Sequence, residues 1–249
     1  MTYKEYVIPK KNGKVRKIVA PDDELKAFQR SHLRTLRQIF SNVCAEQWLP
    51  GNIFHGFLRG KNCVTAAKQH IGYKTSVMMD ISHFFDKVQI NHVAKHKLDM
   101  RLFHKDGHAA QGFPSSPMIA NIAVVAVMGY ISNTCNHTFG TQNYALTIYA
   151  DDVCISHNGS AQDSQHAIEE VTKHFNKAGF AINTSKTRIK HAKHGYRRIL
   201  GINVGNDHIR ATRKVMRKLR AATHQNNGPS MGGLTTWSQC IEPRVRRGR

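Results

Sequence analysis

Three carboxylates stand out in a chain that is poor in acid. Asp80 closes the apolar run VMM, and Asp151-Asp152 lies between LTIYA and VCIS. Two adjacent carboxylates repel each other and resist burial unless a cation compensates them. The chain has 16 Asp and Glu against 37 Lys and Arg, so an acidic pair inside an apolar run needs a reason. If the Asp80 strand and the Asp151-Asp152 hairpin are neighbours in one sheet, Asp80 and Asp151 converge. Carboxylates held on rigid strands suit hard divalent cations such as Mg²⁺. Two such ions about 4 Å apart would activate an attacking hydroxyl and stabilise a leaving phosphate. A plain solvent-exposed turn also uses Asp, and these residues alone leave both readings open.

The rest of the composition bounds the setting. The 249 residues are ample for a real core, and the formal charge of +21 points to a polyanion, with nucleic acid the first candidate. A basic binder without chemistry fits the charge equally well. The five Cys (44, 63, 135, 154 and 240) contain no C-x-x-C pair, which supports neither a zinc ribbon nor a thioredoxin-type site. Their odd, dispersed set fits a reducing compartment. The start, MTYKEYVIPKK, has no apolar core of a secretory signal. The apolar stretch Met118 to Ile131 is broken by Asn121 and is shorter than a membrane span needs. The 16 His are dispersed; His92/His96 and His104/His108 have helical metal spacing but no evident third ligand, which predicts polar surface.

The elements that must position the carboxylates follow from periodicity. Residues 3–19 read as two strands around Asn12-Gly13, a strong hairpin dipeptide. Pro21 opens a helix with Asp22, Asp23 and Glu24 in its first turn, and apolar residues from Leu25 to Val43 predict one buried face as far as Trp48. A short helix is expected at Val64–His70 and a strand at TSVMMD, with Val77 and Met79 on one face and Met78 and Asp80 on the other. From Pro117 to about Asn133 a helix is apolar nearly all round, hence a buried core helix. YALTIYADDVCIS reads as a hairpin, Ser160–Ala178 as an amphipathic helix stopped by Gly179, and FAINTSKTRI and RRILGINVG as further strands. A last helix over 210–223 places Arg210, Arg213, Lys214, Arg217 and Lys218 on one face, opposite Val215, Leu219 and Ala222.

DISHFF, QGFPSSPMIAN and YADD stand in the order of motifs A, B and C of reverse transcriptases. YKEYVIPKKNGKVRKIVAPDDELKAFQR resembles the fingers opening of bacterial retron-type reverse transcriptases, and HGFLRGKNCVTAAKQH their next block. GFAINTSKTRI is similar to motif D and RRILGINV to the strand pair of motif E, so the resemblance covers about residues 3–205 in correct order. The family's Asn-Ala-x-x-His element reads Ala66-Ala67-Lys68-Gln69-His70 here, without the Asn. The resemblance implies an α+β right-hand polymerase: fingers at about 1–75 and 88–110, an antiparallel-sheet palm at about 76–87 and 111–205, and a short, basic, helical thumb with the tail over 206–249.

The same resemblance implies roles residue by residue. Asp80 and Asp151 would ligate two Mg²⁺ ions, with Mn²⁺ a substitute, and the carbonyl of Ile81 would add a ligand; Asp152 is the second carboxylate of motif C. Phe85 falls at the steric-gate position, where a ring would clash with a ribose 2′-OH; a core aromatic is the alternative. Gln111 would sit near the incoming nucleotide, Gly112 would allow close backbone approach, and Asn121 needs either a buried partner or a substrate contact. Lys186 is a proton donor or electrostatic partner for pyrophosphate, or else a surface lysine. Arg16, beside Lys10, Lys11 and Lys14, would engage the triphosphate. Arg59 and Lys61 would contact template, and the basic face from Arg210 to Lys218 would track a primer–template duplex. Expected partners are an RNA template, an RNA/DNA primer–template duplex and dNTPs. A cognate non-coding RNA and an accessory protein are further expectations, with no membrane and a bacterial cytoplasm as the setting. Template-independent terminal transfer and a silent RNA-binding subunit are the rival functions.

Overall fold

The computed structural model describes residues 2–9, 13 and 15–241. Strands β1 (Tyr3–Pro9) and β2 (Val15–Pro21) pair antiparallel, as the hairpin dipeptide predicts; Lys10, Lys11, Asn12 and Lys14 lie outside the described residues, as does the Arg-rich end after 241. Asp22 caps helix α1 (Asp23–Ser31) by accepting from the Leu25 N–H. The single long helix expected next is in fact two, because α2 (Leu33–Glu46) starts afresh after His32. Ser31 Oγ donates to the Phe28 carbonyl and His32 Nδ1 bonds the same oxygen at 2.9 Å, so local side chains take an acceptor that a continuous helix would use. Beyond α2, Trp48 turns outward with a positive φ and stands 92% exposed.

Helix α3 (Cys63–Lys68) carries a reciprocal cap between Asn62 and Thr65. Strand β3 (Thr75–Asp80) follows, then the one-turn helix α4 (Phe84–Lys87) and a polar stretch of 3₁₀ turns up to Leu102. Helix α5 (Ser116–Phe139) starts with Pro117 in its first turn and ends at Gly140; it outruns the predicted end because Cys135 and Phe139 prolong the apolar face. By length and composition alone α5 could cross a membrane, yet 78% of its apolar window is buried within this protein, which marks a core helix. Each aliphatic side chain it buries, such as Ile119, Val124, Val125 and Met128, contributes about 1.5–3 kcal/mol.

Strands β4 (Tyr144–Tyr149) and β5 (Asp152–His157) form the expected hairpin, and β6 (Arg188–His191) completes an antiparallel sheet of order β4-β5-β3-β6. Helices α5 and α6 (Ala161–Lys177) supply its main apolar cover. FAINTSKTRI is less regular than predicted. It makes one bridge at Ile182 and a 3₁₀ turn at Thr184–Lys186, and only then β6.

A second small sheet, β7 (Arg197–Ile199), β8 (Ile202–Val204) and β9 (Ile209–Arg210), shares a separate core with α3 and with Met78 on the outer face of β3. Arg197 is fully buried between the sheets, donating to the carbonyls of His70 and Gly205 and to Ser76 Oγ. Burial drives His70 down to about 3, so its neutral ring joins Ser156 and Thr147, each at 2.8 Å. Helix α7 (Arg213–His224) begins three residues later than predicted, because Thr212 caps it and Arg210 belongs to β9. Helix α8 (Gly228–Ile241) was not expected from the Gly-rich run that forms its first half; Trp237 and Ile241 pack it onto the second core.

Candidate active site

The three carboxylates meet where β3 ends and β5 begins. Asp80 stands opposite Asp152 in the antiparallel register, and Asp151 occupies the two-residue turn beside it. Several contacts hold this corner. The Ile81 N–H donates to the Asp151 carbonyl at 2.8 Å, and the Asn183 N–H donates to the Asp80 carbonyl at 2.8 Å. Ala150 takes a left-handed φ of 55°, unusual for a residue with a Cβ. Gly56 lies so close beneath it that a Cβ there would come within 2.7 Å of the Ala150 nitrogen. Asn121, buried in α5, donates to the Gly56 carbonyl at 3.0 Å, so the lone amide of the core helix is a brace beneath the turn.

The electrostatics call for a cation. Loss of solvation raises Asp151, and the charge of Asp80 adds to it, while Lys186 and Arg16 pull the other way. Asp152 is pushed up to about 6, first by loss of solvation and then by Asp151 and Asp80. Lys186 Nζ bonds both oxygens of Asp80, at 2.9 and 2.8 Å, which raises the lysine in turn. An ammonium group thus stands in for positive charge that the three acids require. Hard oxygen donors on rigid strands, together with the Ile81 carbonyl, which among the described residues takes no backbone hydrogen bond, fit a divalent cation.

A carboxylate raised in the folded state keeps its proton there more readily than in the unfolded chain. Its stabilising contribution is present below the ordinary carboxylate range and fades as pH rises through about 6. Without divalent ions, Asp152→Asn should raise the thermal midpoint at about pH 7.5, by a small amount because the side chain is exposed and screened, and leave it unchanged near pH 4. Scanning calorimetry at both pH values checks this.

Around the acids, the expected residues fall in different places. Phe84 is buried core, whereas Phe85 is only half-buried and lies 6.1 Å, ring to ring, from Phe57. Phe57 also faces Tyr149 at 6.5 Å. This aromatic wall was not found from sequence, although an aromatic beside Gly56 in a loop was the available signal. Gln111 is half-exposed, and its carbonyl accepts the Val19 N–H at 2.8 Å, which ties the β1–β2 hairpin to the start of motif B. Arg16 lies on that hairpin, near enough to lower Asp151. Lys61 donates to the Gly51 carbonyl and closes its own loop, while Arg59 is exposed on it. Arg213, Lys214, Arg217 and Lys218 are exposed on α7. Arg210, off the helix, joins Arg213, Arg217, Arg220 and Tyr196 along a groove of about 820 Å³.

Solved structures share this fold. A foamy viral protease–reverse transcriptase in complex with double-stranded DNA aligns over 96% of this chain and 36% of its own, with a TM-score of 0.59 and 16% identity. A telomerase from Candida albicans aligns over 93% of this chain and 54% of its own, with a TM-score of 0.60 and 12% identity. The architecture is therefore the α+β right-hand polymerase fold. More specifically, the profile described as reverse transcriptase (RNA-dependent DNA polymerase) matches residues 8–204, and the chain belongs to that family. Among curated relatives it is 26% identical to the Retron Mx65 reverse transcriptase and 28% identical to the Retron Mx162 reverse transcriptase of Myxococcus xanthus, over 90% and 89% of its length. The Retron Ec48 reverse transcriptase of Escherichia coli is 25% identical over 87%. The chain spans 56%, 52% and 56% of these relatives' own lengths. Reverse transcriptases as a family use a divalent metal.

Proposed function

We propose that this protein extends a primer 3′-OH with dNTPs on an RNA template. The observation that carries the reading is the convergence of Asp80, Asp151 and Asp152 on one sheet corner of a chain with a charge of +21. A nucleic-acid binder has no use for three clustered carboxylates, which would repel its ligand unless metal ions intervened. Asp80, Asp151 and the Ile81 carbonyl would hold two Mg²⁺ ions, or Mn²⁺ in their place. Bound there, the ions supply activation of the primer hydroxyl and charge neutralisation on the transferred phosphoryl group.

The chain's own residues do the rest. Lys186, already within bonding distance of Asp80, serves the leaving pyrophosphate as a cation or proton donor. Arg16 on the hairpin engages phosphate oxygens in a bidentate manner, and Gln111 lines the nucleotide position. Phe57, 41% exposed, offers a face for base stacking. Phe85 gates the sugar. Phe85→Ala should admit ribonucleotides, raising the NTP-to-dNTP incorporation ratio by about 10²-fold. Single-nucleotide kinetics measures this ratio, and unchanged sugar discrimination removes the gate.

Fingers are proposed at 1–75 and 88–110, palm at 76–87 and 111–205, and thumb from 206. Arg59 and Lys61 would touch template, and the exposed cations of α7 with Arg210 would follow the duplex backbone. The retron relatives favour a structured cognate RNA, an accessory protein and a bacterial cytoplasmic setting, in a retron, anti-phage or other mobile-element system. The test is a primed RNA template with Mg²⁺ and dNTPs, one dNTP being omitted in parallel lanes. Growth that stalls where the omitted base is called for is expected. Untemplated growth would replace the reading with terminal transfer.

A further inference from the structure

Apart from the motif A and C carboxylates, the turn His104–His108 brings two imidazoles and a carboxylate together. Helical spacing suggested a pair of surface histidines, but the segment is a turn, with the Gly107 N–H donating to the His104 carbonyl at 2.8 Å, and it carries Asp106 into the group. The ligand atoms of His104, Asp106 and His108 all lie within 4.8 Å of one another.

The hydrogen bonds give His104 a direction. The ring is 5% exposed, and its Nε2 lies 3.1 Å from Glu5 Oε1 on β1. Its Nδ1 accepts from the Asp106 N–H at 3.3 Å and lies 3.2 Å from Asp106 Oδ2. A ring that donates through Nε2 to Glu5 and accepts at Nδ1 turns a lone pair toward a carboxylate oxygen. Two acceptors at that distance repel unless a proton or a metal cation lies between them, and a metal there would take the lone pair that the Asp106 N–H now uses. Tetrahedral zinc holds its ligand atoms about 3.3 Å apart, close to the Nδ1–Oδ2 separation found here. His108 supplies the next donor. Its ring lies 4.5 Å from that of His104, half-buried and, among the described residues, without a hydrogen-bond partner. A carboxylate behind the far nitrogen of a ligating histidine is the usual way such a ring is oriented and made more basic, and Glu5 occupies that place.

We propose that His104, Asp106 and His108 bind a Zn²⁺-class cation, with Glu5 as the positioning residue behind His104. Two nitrogens and one oxygen select a borderline ion over Mg²⁺, and three protein ligands leave a position for water. The ion does not belong to the polymerising chemistry. It fixes the His104 ring, which packs on Tyr3 at 5.0 Å, and so anchors β1 and the hairpin that carries Arg16.

The test uses the full chain, stripped with a chelator and then titrated with Zn²⁺ by calorimetry, with Co²⁺ as an absorption probe of tetrahedral geometry. One equivalent should bind in or below the micromolar range, with tetrahedral Co²⁺ bands and a thermal midpoint several degrees higher. Binding and bands should persist in Asp80→Asn and disappear in Asp106→Asn and in His108→Ala, both of which alter side chains outside the deep core. Binding only in the millimolar range overturns the site. So does a stoichiometry that survives both turn variants, because the ion then sits elsewhere among the other histidines and cysteines. A proton shared between His104 and its two carboxylates would give no Co²⁺ spectrum and is excluded or established by the same titration.

Discussion

Asp80→Ala or Asp151→Ala is expected to cut primer extension on the order of 10³-fold or more, while duplex affinity should stay within about a few-fold of wild type. The separation of the two effects is what makes the result informative. In the proposed reading, affinity for nucleic acid would rest on cations such as Arg213, Lys214, Arg217 and Lys218, which are exposed on α7, apart in sequence from the sheet corner. Removing one acid leaves the fold intact, because Ile81 still bonds the Asp151 backbone and β3 still pairs with β5. The variants would not behave alike in detail. Asp80→Ala also removes the carboxylate that Lys186 Nζ bonds, the largest cause of the lysine's raised value, so that value should fall further there than in Asp151→Ala. Extension at nucleotide resolution, paired with a salt-titrated binding assay, measures both quantities. Retained synthesis in either variant would sink the assignment of the site.

The second large effect comes from a residue without a side chain. Gly112 has φ +119°, and a Cβ there would lie 2.3 Å from the Val19 carbonyl oxygen and 3.1 Å from its carbon. Backbone atoms cannot swing aside as a flexible side chain can. Gly112→Ala must therefore push β2 away or break the 2.8 Å bond from the Val19 N–H to the Gln111 carbonyl. Strain in such a conformation alone costs on the order of 1–3 kcal/mol. The displaced hairpin carries Arg16 with it, so the KM for dNTP should rise by about 10-fold or more, beyond any loss of stability. Gly201→Ala is the control, because Gly201 also has a positive φ but nothing within 4 Å of its added carbon. If the two variants lose stability and nucleotide affinity equally, the close approach has no special role.

Much of this molecule was legible from periodicity and turn chemistry. The first hairpin, the buried helix α5 and the hairpin bearing Asp151 all follow from patterns within short windows, whereas the convergence of Asp80 with Asp151 follows only on condition that β3 and that hairpin share a sheet, which they do. What escaped depends on partners distant in sequence or on competing local bonds. The break at His32 depends on two side chains choosing the Phe28 carbonyl, which apolar spacing does not register. Arg210 matched a helix face in period, but Thr212 caps the helix after it and β8 claims the residue as a strand partner. Phe57 reaches Phe85 only because Phe54 bridges Ile148 and Gly56 slips under the turn. Asp106 became a neighbour of two histidines once the segment folded as a turn. Arg197 shows the limit most plainly, since a guanidinium buried with no carboxylate partner among the described residues is the last place that sequence charge would suggest.

The two tryptophans lie in opposite surroundings, and that has an optical consequence. Trp48 is 92% exposed, so its emission is that of indole in water and changes little with events elsewhere. Trp237 is packed between α8 and the second core, where its emission depends on how that helix is seated. A soluble quencher would reach the first far more readily than the partly buried second, turning the unlabelled protein into its own reporter of how α8 is seated.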